Sequence, residues 1–355
     1  MGSTRTIRLG GIPIGGGNPI SVQTMTKTDT RDVDATVGQL VRIAGAGCDI
    51  VRVAVPDEEA AAALPAILAE AGLPVVADIH FDYRLALASL KAGVHGLRIN
   101  PGNIGSEDRI REVVAAAKDA NVPIRIGVNA GSLEKDLLER MGATPAAMVE
   151  SAARHIGILE RLGFSAIKVS LKASDVKRTV AACRLFAERF DYPQHIGITE
   201  AGTAGIGLVK SEIGIGALLL SGIGDTIRVS MTGDPVDEVN AGRRILRALD
   251  LLPDVPRFIS CPTCGRLAFD IAKYVPVIEA EVEKLGAPIT VAVMGCAVNG
   301  PGEAREADLA LCGGPGYAAI YRRGELVAKV REAELVDRFL EIARDLVRSL
   351  GERED

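Results

Sequence analysis

The first 250 residues alternate between short apolar segments and longer amphipathic stretches. Eight apolar segments, rich in Val and Ile, read SVQTM (21–25), DIVRVAV (49–55), PVVADIH (74–80), GLRIN (96–100), PIRIGVN (123–129), AIKVSLK (166–172), HIGITEA (195–201) and DTIRVSM (225–231). Nearly continuous apolar segments of this length predict parallel strands that are covered on both faces. The stretches between them predict helices, for example over 57–71, 106–120, 174–189 and 237–249.

Eight alternating units predict an α/β fold, an N-terminal TIM (β/α)8 barrel over residues 1–252, with a doubly wound open sheet as the alternative. The stretch GGIPIGGGNP (10–19) predicts a turn-rich hairpin before the first barrel strand. Pro253 and Pro256 mark the end of the barrel pattern. Residues 257–355 predict a smaller α/β domain with a helix over 267–285, a strand over 289–294, a hairpin over 318–330 and a last amphipathic helix over 332–350.

Polar and charged residues occupy the carboxyl ends of the predicted barrel strands, where barrel enzymes carry their catalytic groups. They are Arg52, Asp78, His80, Arg98, Asn100, Arg125, Asn129, Lys168, Ser170, Lys172, Thr199, Glu200, Arg228 and Ser230. At least five cations from different strands would then share one mouth, and Asp78 and Glu200 are too few to neutralise them. Because unpaired buried cations are costly, we expect an anionic ligand with more than one phosphate group, a small diphosphate or bisphosphate.

The composition narrows the class of protein further. Apolar residues make up 48% of the chain, which suits a large core, and the net charge of −5 argues against a general nucleic-acid or membrane-surface binder. The N-terminus carries no apolar signal segment, and the longest apolar stretch is too short to span a bilayer. We therefore expect a cytoplasmic protein with reduced thiols, in which a structural disulfide is disfavoured.

Four of the six cysteines are candidates for a metal or redox centre. Cys261 and Cys264 form a Cys-x-x-Cys pair, and Cys296 and Cys312 follow singly. Cys48 and Cys183 lie in apolar patterns and are expected to be core thiols. A zinc site would need a second paired knuckle, and a dithiol would leave Cys296 without a role, whereas an iron–sulfur cluster accepts a pair and one remote cysteine. The fourth ligand is then either Glu303, a weakly held carboxylate, or Cys312.

The motifs together resemble those of the 4-hydroxy-3-methylbut-2-en-1-yl diphosphate synthases, in their short bacterial form. The resemblance covers nearly the whole chain and rests on SVQTMT (21–26), DIHF (78–81), RINPGN (98–103), VNAGSL (128–133), KASD (172–175), ITEAG (198–202), SCPTCGR (260–266) and NGPGEA (299–304). It implies reductive ring opening and dehydration of 2-C-methyl-D-erythritol 2,4-cyclodiphosphate in isoprenoid biosynthesis. It also implies that flavodoxin or ferredoxin delivers two electrons.

The resemblance also assigns residues. It implies a [4Fe-4S] cluster held by Cys261, Cys264, Cys296 and Glu303, in a small domain of the sulfite-reductase or ferredoxin-like kind. It assigns the substrate diphosphate to Arg52, Arg98, Arg125, Lys172, Arg228 and Ser230, and it places Asp78, His80, Asn100, Asn129, Thr199 and Glu200 at the same mouth. Lys168 is predicted there as well. Glu200 or His80 would supply the proton for the departing water.

The predicted linker suggests how the two domains would cooperate. The last barrel helix ends at the face opposite the mouth, and a linker of about six residues reaches at most ~20 Å. We therefore expect a head-to-tail homodimer in which each cluster domain caps the barrel of its partner. Two alternatives stay open: a zinc-stabilised barrel aldolase or hydrolase acting on a sugar phosphate, and an electron carrier or binding module fused to an inactive barrel.

Overall fold

The structure is a computed structural model that describes residues 2–268, 270–296, 300–314 and 316–351. The chain divides into two compact units, Met1–Leu249 and Asp250–Asp355. Each unit has its own sheet and its own buried apolar side chains. The substrate-binding and cluster-binding roles predicted for residues 1–252 and 257–355 stay predictions.

A hairpin precedes the barrel. Its antiparallel strands are β1 (Thr6–Leu9) and β2 (Ile12–Gly15). The side chains of Ile7, Leu9 and Ile14 pack against Ile50 and Val76, which lie near the start of two barrel strands. The hairpin therefore covers the amino-terminal end of the barrel and leaves the carboxyl ends of the strands as the mouth.

The barrel consists of an eight-stranded sheet among the described residues, with the order β8-β7-β6-β5-β4-β3-β10-β9. Its strands are β3 (Ser21–Met25), β4 (Ile50–Ala54), β5 (Val75–Asp78), β6 (Gly96–Ile99), β7 (Ile124–Asn129), β8 (Ile167–Lys172), β9 (His195–Ile196) and β10 (Thr226–Ile227). Neighbouring strands are parallel. A bridge between Val169 and Gln194 joins β8 to β9 and nearly closes the ring. The predicted TIM barrel is confirmed.

The last two barrel strands are shorter than the sequence predicts. The apolar segments 195–201 and 225–231 each contribute two residues to the sheet, as β9 and β10. At Gly197 the backbone turns to a φ of +154°. A Cβ there would lie 2.2 Å from the carbonyl oxygen of Arg228, so the two segments leave strand geometry where their backbones come close.

Helices follow the barrel strands and surround the sheet. They are α1 (Val33–Gly45), α2 (Glu58–Glu70), α3 (Tyr83–Ala92), α4 (Glu107–Asp119), α5 (Lys135–Met141), α6 (Pro145–Arg161), α7 (Val176–Arg189), α8 (Ala204–Leu219) and α9 (Pro235–Ala248). Asp32, Asp57, Asp82, Asp175 and Asp234 accept backbone N–H groups at the starts of α1, α2, α3, α7 and α9. Each such cap stabilises its helix by about 1 kcal/mol and fixes where the preceding mouth loop ends.

The second unit is a small α/β domain, as predicted. Its elements are β11 (Arg257–Ser260), α10 (Ile271–Glu283), β12 (Thr290–Met294), α11 (Gly300–Glu306), β13 (Leu309–Gly314), β14 (Tyr317–Arg322), β15 (Glu325–Val330) and α12 (Leu335–Gly351). The sheet follows chain order from β11 to β15, parallel at first and antiparallel from β13 onward. Its main core includes Tyr274, Ile278, Leu311, Ile320 and Phe339. Across the described residues of both units, no helix has the length and apolar character needed to cross a membrane.

Candidate active site

A row of charged side chains crosses four neighbouring barrel strands. In the strand register, Asp78 of β5 pairs with Arg98 of β6, and Arg98 pairs with Arg125 of β7. Arg125 in turn pairs with Lys168 of β8. All four residues are buried, so the structure brings them together inside the barrel rather than on its surface.

Asp78 joins two of the arginines. Its Oδ1 accepts a hydrogen bond from Arg98 Nη1 at 3.2 Å, and its Oδ2 lies 3.6 Å from Arg52 Nε. Burial raises the pKa of Asp78, but the guanidinium groups of Arg52 and Arg98 outweigh this effect and leave the pKa below its usual value. Burial lowers the pKa of Arg52 to about 9. Asp78 is therefore an ionised carboxylate that holds two cations in position.

The backbone of Gly127 in β7 forms hydrogen bonds with Arg98 in β6 and with Asn100, which follows that strand. The Asn100 amide is bonded both ways, because Nδ2 donates to the Gly127 carbonyl and Oδ1 accepts the Gly127 N–H, each at 2.9 Å. Arg98 Nη2 donates to the same carbonyl at 3.2 Å. A Cβ at position 127 would lie 2.6 Å from Arg98 Nε. Only glycine therefore leaves room for the guanidinium here, and Asn100 ties the end of β6 to β7.

Arg125 keeps donors available inside the barrel. Its Nη1 donates to Ser170 Oγ at 2.7 Å, while Nε and Nη2 have no hydrogen-bond partner among the described residues. Burial lowers its pKa well below the usual value, and Arg52 and Arg98 lower it further. A buried guanidinium with two unused donors is suited to receive an anion.

Lys168 lies deeper in the barrel than Lys172, which ends the same strand. Its Nζ donates to Thr226 Oγ1 at 3.2 Å, and burial lowers its pKa to about 7. The side chain lines a small internal cavity together with Gln23, Arg125 and the hairpin residue Leu9. Lys168 therefore lies toward the closed end of the barrel.

Lys172 and Arg228 complete the set of interior cations. Lys172 ends β8, and burial lowers its pKa well below the usual value, with further lowering by Arg228, Arg125 and Arg52. Burial also lowers the pKa of Arg228, against the opposing effect of Glu238. The neighbouring cations lower the pKa of Lys172 and of Arg125, which indicates that these charges lie near one another inside the barrel.

Glu238 is a site residue that the sequence reasoning missed. Its Oε2 accepts from Thr24 Oγ1 at 2.6 Å and lies 3.9 Å from Arg228 Nη2. Its Oε1 lies 3.0 Å from Lys27 Nζ and accepts the Met231 N–H at 3.2 Å. This side chain is 1% exposed. The carboxylate thus joins β3 to the segment after β10 and supplies a second negative charge beside the cations.

A sequence signal for Glu238 exists. The residue lies on the buried face of α9 with Pro235, Val239, Gly242 and Leu246. A carboxylate within an apolar helical stripe is unusual unless a cation pairs with it.

The remaining predicted mouth residues lie at or after the strand ends. Asn129 ends β7 and pairs in register with Lys172. His80, Thr199, Glu200 and Ser230 lie in the segments that follow β5, β9 and β10, and His80 and Glu200 are exposed. The Glu200 backbone has a φ of +51°, a left-handed conformation that a non-glycine residue adopts at some cost and that is frequent at functional sites.

Two predicted cluster ligands lie at one end of the second sheet. Cys261 follows β11, and Cys296 follows β12 after Gly295; the two strands are parallel neighbours. The Cys261 sulfur accepts the Gly295 N–H at 3.3 Å. Cys264 is exposed, and Glu303 is half-buried in the first turn of α11. Residues 297–299, which include Asn299 of the NGPGEA motif, lie outside the described residues.

The other three cysteines are core thiols. Cys48, Cys183 and Cys312 are buried, and burial raises the pKa of each thiol to about 12. A buried thiol with a raised pKa is mostly protonated at neutral pH. Cys296 adds to burial in raising the pKa of Cys312. Within the described ranges, no group of three or more His, Cys, Asp or Glu side chains is arranged to hold a metal ion.

Comparison with known families covers both units. A family model described as the GcpE TIM-barrel domain matches residues 4–243, and one described as the GcpE protein C-terminal domain matches residues 257–345. Among solved structures, 3-dehydroquinate dehydratase from Geobacillus kaustophilus is similar, with a TM-score of 0.51, 16% identity, and coverage of 70% of this chain and 98% of that chain. At this identity the likeness shows the barrel fold alone.

Curated relatives match over almost the whole length. A protein of Geobacter sulfurreducens is 57% identical over 95% of this chain and 96% of its own. One from Thermodesulfovibrio yellowstonii is 56% identical over 96% of this chain and 98% of its own. Both are named 4-hydroxy-3-methylbut-2-en-1-yl diphosphate synthase (flavodoxin). With both of its units matched, the chain belongs to the GcpE family.

Proposed function

We propose that the chain opens the ring of 2-C-methyl-D-erythritol 2,4-cyclodiphosphate reductively and releases 4-hydroxy-3-methylbut-2-enyl diphosphate and water. The shared name of its relatives makes it an oxidoreductase of isoprenoid biosynthesis. The observation that carries the proposal is the group of interior cations: Arg52, Arg98, Arg125, Lys172 and Arg228. Asp78 and Glu238 are carboxylates that contact three of them. A cyclic diphosphate supplies negative charge that this space lacks.

The interior cations form two groups: those that a carboxylate positions and those whose donors are available to the substrate. Asp78 positions Arg52 and Arg98, and Glu238 positions Arg228. The unused Nε and Nη2 donors of Arg125 and the Lys172 amine would bind phosphoryl oxygens. Ser230, Asn129 and Thr199 would add neutral hydrogen bonds around them. Asn100 acts mainly by keeping β6 against β7.

The residues of the second unit fit a [4Fe-4S] cluster. Cys261, Cys264 and Cys296 are at least partly exposed, unlike the three buried thiols. The Gly295 N–H bonded to the Cys261 sulfur is the kind of donor that stabilises a cluster thiolate. Glu303, a harder ligand than a thiolate, would be the fourth and the easiest to displace. Such a cluster supplies electrons and a Lewis-acidic iron for breaking a carbon–oxygen bond.

Two residues are candidates for the acid that protonates the departing hydroxyl group, which then leaves as water. The pKa of Asp78 lies below its usual value, so this residue stays ionised and positions arginines. Glu200, exposed in a loop after β9 with left-handed backbone, is the preferred donor, and His80 is the second. Glu200→Gln with full turnover would exclude Glu200.

The partners and assembly complete the proposal. Flavodoxin is the preferred electron donor because the relatives' names specify it; ferredoxin is the second candidate. We propose a head-to-tail homodimer in which the cluster domain of one chain acts on the substrate in its partner's barrel. An exposed apolar stripe on α8, formed by Ile206, Val209 and Ile213, supports a subunit contact. The predicted cytoplasmic location belongs to the same proposal.

Anaerobic purification tests the function directly. The expected protein is brown, contains iron and sulfide in a roughly four-to-four ratio, and converts the cyclodiphosphate when reduced flavodoxin is supplied. Titration with cyclodiphosphate should change the visible spectrum of the cluster. A colourless protein with stoichiometric zinc and no turnover would favour the aldolase or hydrolase alternative instead.

A further inference from the structure

A buried histidine outside the barrel touches two of the mouth loops. His155 lies on α6 and is 4% exposed. Its Nδ1 accepts the backbone N–H of Gly102 at 3.2 Å, and its Nε2 lies 3.4 Å from Glu134 Oε1. These three residues are called the His155 clamp.

The two contacts determine which nitrogen of the neutral imidazole carries the proton. Because Nδ1 accepts a hydrogen bond, the proton of the neutral ring is on Nε2, which faces the Glu134 carboxylate. Burial lowers the pKa of His155, with Glu134 opposing and Arg154 adding to the effect. The ring is therefore neutral at physiological pH and can hold both contacts at once.

The two loops belong to neighbouring strands of the candidate site. Gly102 lies in the loop after β6, the strand of Arg98, and Glu134 precedes α5 in the loop after β7, the strand of Arg125. Inside the barrel, Asn100 already ties these strands together. The clamp adds a second tie between them, on the outer side and at the level of the loops.

The clamp also accounts for a glycine of the RINPGN motif. Gly102 needs no left-handed backbone. A Cβ there would lie 2.9 Å from His155 Cε1, closer than real contacts allow. Glycine at this position lets the loop approach the imidazole closely enough for the hydrogen bond.

We propose that His155 is a positioning residue of the substrate site. It sets the spacing of the loops after β6 and β7, so that Arg98 and Arg125 present one preformed surface to the diphosphate. This inference rests on the proposed function for its substrate. The alternative role is purely structural, in which His155 only stabilises the fold.

The chain offers a matched control at the other end of the barrel. His95 accepts the Val75 N–H at Nδ1, at 3.1 Å, and burial lowers its pKa as well. A Cβ at Gly10 would lie 2.9 Å from His95 Cδ2. The chemistry matches the clamp, but Val75 begins β5 and no mouth loop is involved.

The test compares His155→Leu with His95→Leu in the full-length holoenzyme. Both changes should lower the melting temperature. His155→Leu alone should raise KM and the dissociation constant for cyclodiphosphate about three- to tenfold, the size expected for a lost buried hydrogen bond, with a smaller change in kcat. His155→Asn, which keeps an acceptor near the Nδ1 position, should restore most of the binding, whereas His155→Gln should restore less.

Two results would overturn the inference. One is an unchanged KM in His155→Leu beside a fall in melting temperature like that of His95→Leu. The other is hydrogen exchange that speeds up in neither loop, 100–106 or 130–138. Exchange and the binding of inorganic pyrophosphate are measured without turnover. They therefore test the positioning role of His155 even if the wild-type chain is inactive on cyclodiphosphate. Such inactivity would count against the proposed function alone.

Discussion

In the barrel, Arg98 is 7% exposed and donates to both Asp78 and Gly127. In the second unit, Cys264 is exposed and Cys261 is partly exposed, with the Gly295 N–H on its sulfur. The mouth residues are thus held by protein partners before any ligand arrives. The cysteines of the candidate cluster site, by contrast, are at least partly exposed.

The difference reflects the two kinds of chemistry. Buried cations are costly unless paired, so the barrel must supply Asp78 and Glu238 for its fold to be stable. Thiols at a metal site gain their geometry from the metal, because metal binding and local folding are coupled. We therefore expect changes at the mouth to affect substrate binding and stability together, and changes at the cysteines to affect the cofactor first.

The largest expected effect comes from removing a cluster ligand. Cys296→Ser should abolish turnover and most of the bound iron, because a hydroxyl is a poor substitute for a thiolate ligand. Binding of cyclodiphosphate to the barrel should change by less than about threefold. Iron analysis, visible absorption and calorimetry check the three outcomes.

Cys312→Ala is the matched control for this experiment. Its thiol is buried with a pKa raised to about 12, so the variant should keep its iron. If Cys312→Ala lost its iron and Glu303→Ala kept it, Cys312 rather than Glu303 would be the fourth ligand.

Mixing inactive chains tests whether the two regions work across subunits. Cys296→Ser chains have a sound barrel, and Arg98→Ala chains have a sound cluster site. In a head-to-tail dimer, random exchange should restore roughly a quarter of wild-type activity, because half of the dimers have one working site of two. Absence of recovery, with subunit exchange proven by mass-tagged chains, would place each site within one chain.

A smaller effect is expected at the carboxylate that holds the mouth. Glu238→Gln keeps the size of the side chain but leaves Arg228 and Lys27 without their shared charge partner. Removing one partner of a buried ion pair costs about 3–5 kcal/mol of unfolding free energy, and we expect a rise in KM with it. Urea denaturation and steady-state kinetics measure the two effects.

Asp237→Asn provides the comparison, since Asp237 is an exposed residue in the same turn of α9. It should change stability by less than about 0.5 kcal/mol. Equal losses in the two variants would mean that Glu238 acts through the helix terminus rather than through Arg228.

The sequence predicts the residues of the barrel mouth better than it predicts how the last two strands close the barrel. Eight apolar segments and the polar residues at their ends suffice to gather Arg98 and Arg125, because parallel strands align their carboxyl ends. The early ends of β9 and β10 depend on a close backbone approach at Gly197, which no local pattern reveals. The role of Glu238 is not evident from the local sequence, because its partners Lys27 and Thr24 are more than 200 residues away and Arg228 lies in the segment after β10.

The second unit shows the same limit. The hairpin and the last helix follow from local periodicity. Strands β11 and β13 and helix α11 were not predicted, because their segments are short and are defined by pairing with β12 and packing against it. Cys312 illustrates the consequence, because its burial depends on strand β13, which the sequence does not predict.

The smallest expected effect on binding separates two lysines of β8. Lys172 lies among the mouth arginines, whereas the Lys168 amine bonds Thr226 beside the internal cavity. Lys172→Met should therefore weaken cyclodiphosphate binding by about tenfold or more, the loss of one charge-assisted contact. Lys168→Met should weaken it less than about threefold. Similar losses in both would show that Lys168 reaches the substrate.

The pH dependence of the unfolding free energy provides a second test of Lys168, using the same Lys168→Met variant. Its pKa falls from the usual 10.5 to about 7 in the folded chain. Between these values the unfolded chain binds one more proton, so stability rises with pH across this window and the penalty is largest below it. Lys168→Met removes the buried amine. It should therefore raise the melting temperature most at pH 7 and reduce the rise in stability between pH 7 and 10, measured by thermal denaturation at several pH values. An unchanged pH dependence would mean that the Lys168 amine stays charged in the folded barrel.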